Sequence, residues 1–309
     1  MHPAPSLILF TVLSGLGFGL LAVLGLGMHP ATGWTAFALY GAGYAAAGAG
    51  LLASAFHLGH PERALLAFTQ WRTSWLSREA VLAAATLLLM APHAAGAVFL
   101  ARPLPWLGVP AGALALATVL ATAMIYAQLR TVPRWQHWTT PAVFLIAALA
   151  GGLLVAGPRW AAVALTVLLA GALAAHWQAG DRRFAEAGHS PGTATGLGAL
   201  GRVRQLAPPH TGGNYLLREM VHVIGRKHAR RLRLIALIAG ALVPALLIGL
   251  LPAPWAIPPA LGLHLAGMLA ARWLFFAEAE HVVGLYYDRP TGAAPAAPTT
   301  DNRSVPWKA

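Results

Sequence analysis

A helix rises about 1.5 Å per residue and the hydrocarbon core of a bilayer is about 30 Å thick, so roughly 20 consecutive apolar residues are needed to cross it. The chain contains eight such runs, at about 6–27, 33–57, 77–100, 109–130, 140–157, 160–178, 232–251 and 257–281. Each is continuously apolar rather than alternating, which excludes the strands of a membrane β-barrel. The first run has no basic stretch before it and seven more follow, so it reads as a span rather than a signal peptide. The sequence predicts an all-α polytopic membrane protein, an eight-helix transmembrane bundle.

Composition adds exclusions. The 309 residues are 58% hydrophobic and only 10% charged, far below the roughly 25% of soluble domains. There is no cysteine. That removes disulfides, thiolate zinc sites, c-type haem attachment and cysteine-ligated iron–sulfur clusters. The formal charge of +12 would suggest nucleic acid in a soluble protein. In a membrane protein it sets orientation instead. With eight spans both termini share a side. Arg63, Arg72, Arg78, Arg130, Arg134, Arg289, Arg303 and Lys308 lie on that side, with ten more cations from Arg182 to Arg233, in and just after the long sixth loop. The opposite loops hold Arg102 and Arg159. Even with the long loop discounted, the bias predicts cytoplasmic termini in a bacterial inner membrane.

Residues 1–287 form the predicted anchor domain and 288–309 a flexible tail rich in Ala, Pro and Thr. Small residues such as Gly41, Gly43 and Gly48 read as helix-packing positions. The one long loop, about 180–231, begins polar and Gly/Pro-rich. It then places Leu217, Met220, Val221 and Ile224 on one helical face with Arg218, Arg226, Lys227 and Arg230 around it. A basic amphipathic helix of this kind suits the lipid headgroup surface, or a docking surface for a partner.

The densest polar cluster joins spans two and three, in Phe56-His57-Leu58-Gly59-His60-Pro61-Glu62-Arg63-Ala64 and Trp71-Arg72-Thr73-Ser74-Trp75-Leu76-Ser77-Arg78-Glu79. Helix-end chemistry accounts for part of it: Ser77 as a cap of span three and Glu79 in its first turn. The convergence of His57, Arg63, Trp71, Arg78 and Glu79 at one interface also fits a quinone site. An imidazole can bond a quinone oxygen and exchange protons near neutral pH, and a carboxylate can relay them. A second interfacial segment, Thr131 to Pro141, carries Trp135 and Trp138, which read as an aromatic belt.

Ionisable groups within spans mark function by default. His93, His176 and His264 lie in spans, and span eight adds Arg272, Glu278, Glu280 and His281. Arg272 is expected to pair with a carboxylate or to face a polar cavity. Arg272, Glu278 and Glu280 also allow a secondary transporter, although no internal repeat supports one. Paired histidines would suit haem b only at matching depth on neighbouring helices.

These segments resemble the membrane anchor subunits of dimethyl sulfoxide reductase-type iron–sulfur molybdoenzymes. The matching pieces are Phe56-His57-Leu58-Gly59-x-Pro61-x-Arg63-Ala64, Ser74-x-Leu76-Ser77-x-Glu79, Thr131-Val132-Pro133-x-Trp135 with Thr140-Pro141, and the Gly-rich last span with Arg272. The nearest likeness is to the anchors of cytoplasmic-facing sulfite dehydrogenases, through Met1-His2-Pro3-Ala4 and the basic Arg218 to Ala229 stretch. The insertion at 180–231 and the shifted Trp138 depart from the short sulfoxide reductase anchors.

The resemblance implies a non-catalytic anchor that binds ubiquinone or menaquinone and carries no haem or iron–sulfur cluster. Its electrons pass to or from an iron–sulfur subunit and a molybdopterin subunit. Quinone binding maps onto His57, and the glutamate opening span three maps onto Glu79. Sulfite oxidation is the implied reaction of the whole complex, with reduction of a sulfoxide by menaquinol as the alternative.

Overall fold

Pro5 and Pro105 stand in first turns, where the absent N–H costs nothing and the fixed φ suits a helix start. They open two of the eight membrane-length helices in a computed structural model that describes residues 4–56, 60–204, 206 and 228–287. The helices are α1 (Pro5–Gly25), α2 (Gly33–Ala55), α3 (Trp75–Phe99), α4 (Pro105–Ala127), α5 (Thr139–Ala156), α6 (Arg159–Glu186), α7 (Ala229–Leu250) and α8 (Ala253–Ala277). A 3₁₀ segment, Pro61–Phe68, joins α2 to α3, and another, Val282–Tyr287, follows α8. The described residues contain no strand. The fold is the all-α polytopic bundle that the eight runs predict. The amphipathic stretch around Leu217–Ile224, with Arg218, Arg226 and Lys227, lies outside the described residues, as do His57 and the tail from 288.

Helix α1 runs through the centre, against α2, α4, α5 and α8. At its crossing with α5, a Cβ on Gly152 would run into the Gly19 carbonyl oxygen. Only glycine allows that approach, and in lipid such close packing replaces the hydrophobic force as the cause of association. Of the α2 glycines, Gly43 faces Leu21 of α1, whereas a Cβ added at Gly41 or Gly48 would meet nothing within 4 Å.

Trp34, Trp106, Trp160 and Trp255 stand at the second or third residue of α2, α4, α6 and α8, each between 71% and 84% exposed. They form an interfacial belt at the face where the even-numbered helices begin. Trp135 departs from the belt reading. It is 2% exposed, stacks on Phe275 at 5.1 Å between centroids and donates from Nε1 to the Phe275 carbonyl at 2.9 Å. Trp138, 70% exposed, keeps that reading.

Helix α7 contains a turn that the spacing does not predict. Pro244 has no N–H to return to the Gly240 carbonyl, and the backbone widens into a π turn over Ile238–Leu242. The freed carbonyl accepts from His264 Nδ1 of α8 at 2.7 Å. At the same level a Cβ on Gly267 of α8 would lie 2.2 Å from Gly240 Cα. Gly267→Leu is expected to force α7 and α8 apart at a cost of about 1–3 kcal/mol. Thermal unfolding in detergent checks this, and an unchanged midpoint would refute the contact.

Candidate functional site

A cavity of about 540 Å³ opens between the end of α2, the 3₁₀ segment Pro61–Phe68 and the start of α3. Leu51, Ser54 and Ala55 of α2 form one wall, and Leu76, Glu79 and Ala80 of α3 form the other. His60, Arg63, Leu66, Ala67, Phe68 and Gln70 close it from the connecting segment. The lining is mostly apolar, with Ser54, His60, Arg63, Gln70 and Glu79 as polar points within it, the usual balance of a small-molecule pocket.

Local bonds hold that shape. Helix α3 starts at Trp75, with Ser74 in the cap position and no side-chain cap bond. Ser77 is therefore not the cap. Its hydroxyl accepts from the Gln70 N–H at 3.0 Å and donates to the Ala67 carbonyl, tying the connection to α3. Arg78 does the same from outside the cavity: Nε donates to the Trp71 carbonyl at 3.0 Å and Nη2 to the Arg72 carbonyl at 2.7 Å. Its guanidinium lies 4.4 Å from the centre of the Trp75 ring. Neither Trp71 nor Arg78 lines the cavity, whereas Arg63 and Glu79 both do. His60, which also lines it, pairs through Nδ1 with Glu62 Oε1 at 2.8 Å on the exposed side.

Glu79 sits beyond the first turn of α3 and is 6% exposed, so complementing the helix dipole is not its role. Its Oε1 accepts from the Thr122 hydroxyl of α4. Thr122 also lines a second, internal cavity of about 20 Å³ with Thr11, Ser14, His264 and Arg272. Arg272 is 6% exposed, with its guanidinium carbon 3.4 Å from the centre of the Phe144 ring. Of the two expectations for Arg272 the structure takes the polar cavity; among the described residues it ion-pairs with no carboxylate.

Glu278 is elsewhere. It ends α8 and faces Arg233 of α7 at 2.7 Å and Arg134 at 3.6 Å. Both arginines also bind Asp181 of α6 at 2.7 Å. Two cations and two carboxylates thus close one end of the bundle, and they extend α6 to Glu186, well past the expected end at 178. The structure separates Arg272 from Glu278, while Glu280 lies just beyond α8. Arg230 is exposed and lines a groove between α6 and α7 with Trp177 and Arg233. In the connection before α5, burial and the nearby Arg183 hold the His137 imidazole below its usual range.

Ser54, His60, Gln70 and Thr122 are the site residues that sequence reasoning did not select. His60 stood within the quoted motif. Thr122 had no local signal, since a threonine within an apolar run is ordinary and its partner is 43 residues away.

The sequence matches the DMSO reductase anchor subunit (DmsC) family over residues 1–168. It is also similar to a sulfite dehydrogenase subunit from Allochromatium vinosum. The two are 34% identical over 326 aligned positions, covering 93% of this chain and 99% of the relative. No solved structure matches.

Proposed function

Because the chain belongs to the DMSO reductase anchor subunit (DmsC) family, we propose that it is the quinone-handling membrane subunit of a three-part molybdenum oxidoreductase. The observation that carries this is the cavity between α2 and α3, bounded by the family-like segment and holding Arg63, His60 and Glu79 at its polar side. Its volume suits a small ring, since such pockets span about 300–1,000 Å³.

In this reading Arg63 and His60 donate to a quinone oxygen, and Glu79 gives or takes the proton that accompanies each electron. His57, directly after the described end of α2, is assigned the second oxygen. Without cysteine the chain holds no iron–sulfur cluster, so electrons leave through an iron–sulfur subunit toward a molybdopterin subunit. The relative's name favours oxidation of sulfite, feeding ubiquinone or menaquinone; a sulfoxide reductase drawing on menaquinol is the alternative. Partner docking falls to the basic face with Arg218, Arg226, Lys227 and Arg230, placed in the cytoplasm with both termini by the cation bias.

His57→Ala in the assembled complex is expected to weaken quinone-analogue binding about tenfold or more, in line with losing a bond to a buried oxygen. Unchanged binding and unchanged quinone-linked rate would defeat the assignment. Assays of the complex on sulfite and on sulfoxides decide the reaction, and a one-sided reporter on the tail decides the topology.

A further inference from the structure

Glu79 is reached from two sides. On one it lines the cavity between α2 and α3; on the other its carboxyl accepts from Thr122, which lines the internal cavity. At about 20 Å³ the internal cavity has room for one water. Its walls suit one. The Thr11 hydroxyl donates to the Leu7 or Ile8 carbonyl and the Ser14 hydroxyl to the Phe10 carbonyl, so both oxygens face the cavity as acceptors. Arg272 supplies donors, and its guanidinium carbon stands 3.4 Å from the centre of the Phe144 ring and 6.0 Å from that of Phe275. A guanidinium this buried needs a negative partner within reach of a low-dielectric interaction.

We propose that Arg272 is the counter-charge of Glu79, acting across the Thr122 hydroxyl and a water in the internal cavity, and that it thereby positions the carboxylate at the quinone cavity for proton exchange. Other groups face Glu79 as well: Tyr126 of α4, and His60 and Arg63 from the connecting segment, while α1 offers only the hydroxyls of Thr11 and Ser14. Tyr126 is within electrostatic reach of both Glu79 and Arg272. Arg63 is exposed on the aqueous side of the cavity. Arg272 is therefore the buried cation that reaches Thr122, the hydrogen-bond partner of Glu79, through a shared cavity.

The inference takes its meaning from the quinone reading but is tested apart from it. The readout is an infrared pH titration of the purified complex at rest, following the carboxylic acid band that Glu79→Gln removes. Arg272→Gln is expected to move the midpoint of that band by at least one pH unit to the alkaline side, a tenfold change in protonation. Arg272→Lys keeps the charge, loses the flat stacking on Phe144, and should hold the midpoint near that of the parent. A purely structural arginine predicts the reverse, with both variants perturbing assembly alike and neither moving the band. If Arg272→Gln fails to assemble, Thr122→Val leaves the cation in place and removes the bridge; a midpoint that stays put in it overturns the proposal. Should the midpoint move in Arg272→Gln while Glu79→Gln leaves quinone-linked turnover intact, the quinone reading falls and the charge pairing stands.

Discussion

Glu79→Gln is expected to lower quinone-linked electron transfer in the assembled complex about 100-fold, the usual scale for losing a positioned acid–base group. Glutamine preserves volume and still accepts the Thr122 hydrogen bond, so assembly and quinone-analogue binding should change little. The separation of effects matters. A side chain at 6% exposure whose removal merely loosened α3 would weaken binding and rate together. Transfer measured with an artificial acceptor, which bypasses the membrane site, should stay at the parent level. A quinone-linked rate within threefold of the parent would remove Glu79 from the mechanism.

Arg134→Met is expected to destabilise the bundle by about 3–5 kcal/mol, the scale for leaving a buried charge without its partner. The network is neutral, with Arg134 and Arg233 set against Asp181 and Glu278. Removing Arg134 leaves two carboxylates around one guanidinium, with Glu278 only 5% exposed. Arg134→Met combined with Glu278→Met restores neutrality, since Asp181 and Arg233 keep their bidentate pair at 2.7 and 2.8 Å. The double variant should regain at least half of the loss in detergent unfolding. A double variant less stable than either single one would show that the charges do not act as a unit.

Much of the fold was legible because a bilayer imposes a length and a polarity that eight stretches of this chain meet. Where it misled, a distant partner overrode a local rule. Asp181 looked like the start of a loop, yet Arg134 and Arg233 keep it helical in α6. Ser77 looked like a cap because serine near an apolar start usually is one, but the chain begins α3 two residues earlier and uses that hydroxyl to hold Gln70. Trp135 looked interfacial, and its burial depends on Phe275, 140 residues away. The site was half legible. Arg63 and Glu79 stood out as charges in an apolar chain, and the structure gathers them at one cavity. The separation of Arg272 from Glu278, six residues apart on the same helix, depends on what α1, α4, α5 and α7 present to each, which no spacing along α8 contains.

Helix α1, the centre of the bundle, is also the first of the eight spans to leave the ribosome. Its neighbours α4, α5 and α8 do not yet exist at that moment, so it must wait in lipid alone. By mean hydropathy it is the most apolar of the eight. Its two buried hydroxyls, Thr11 and Ser14, already bond to carbonyls of their own helix. Neither buried hydroxyl is therefore left unsatisfied while it waits. The helix on which the others assemble is thus built to be inserted before them, and biogenesis can proceed outward from it in the order of translation.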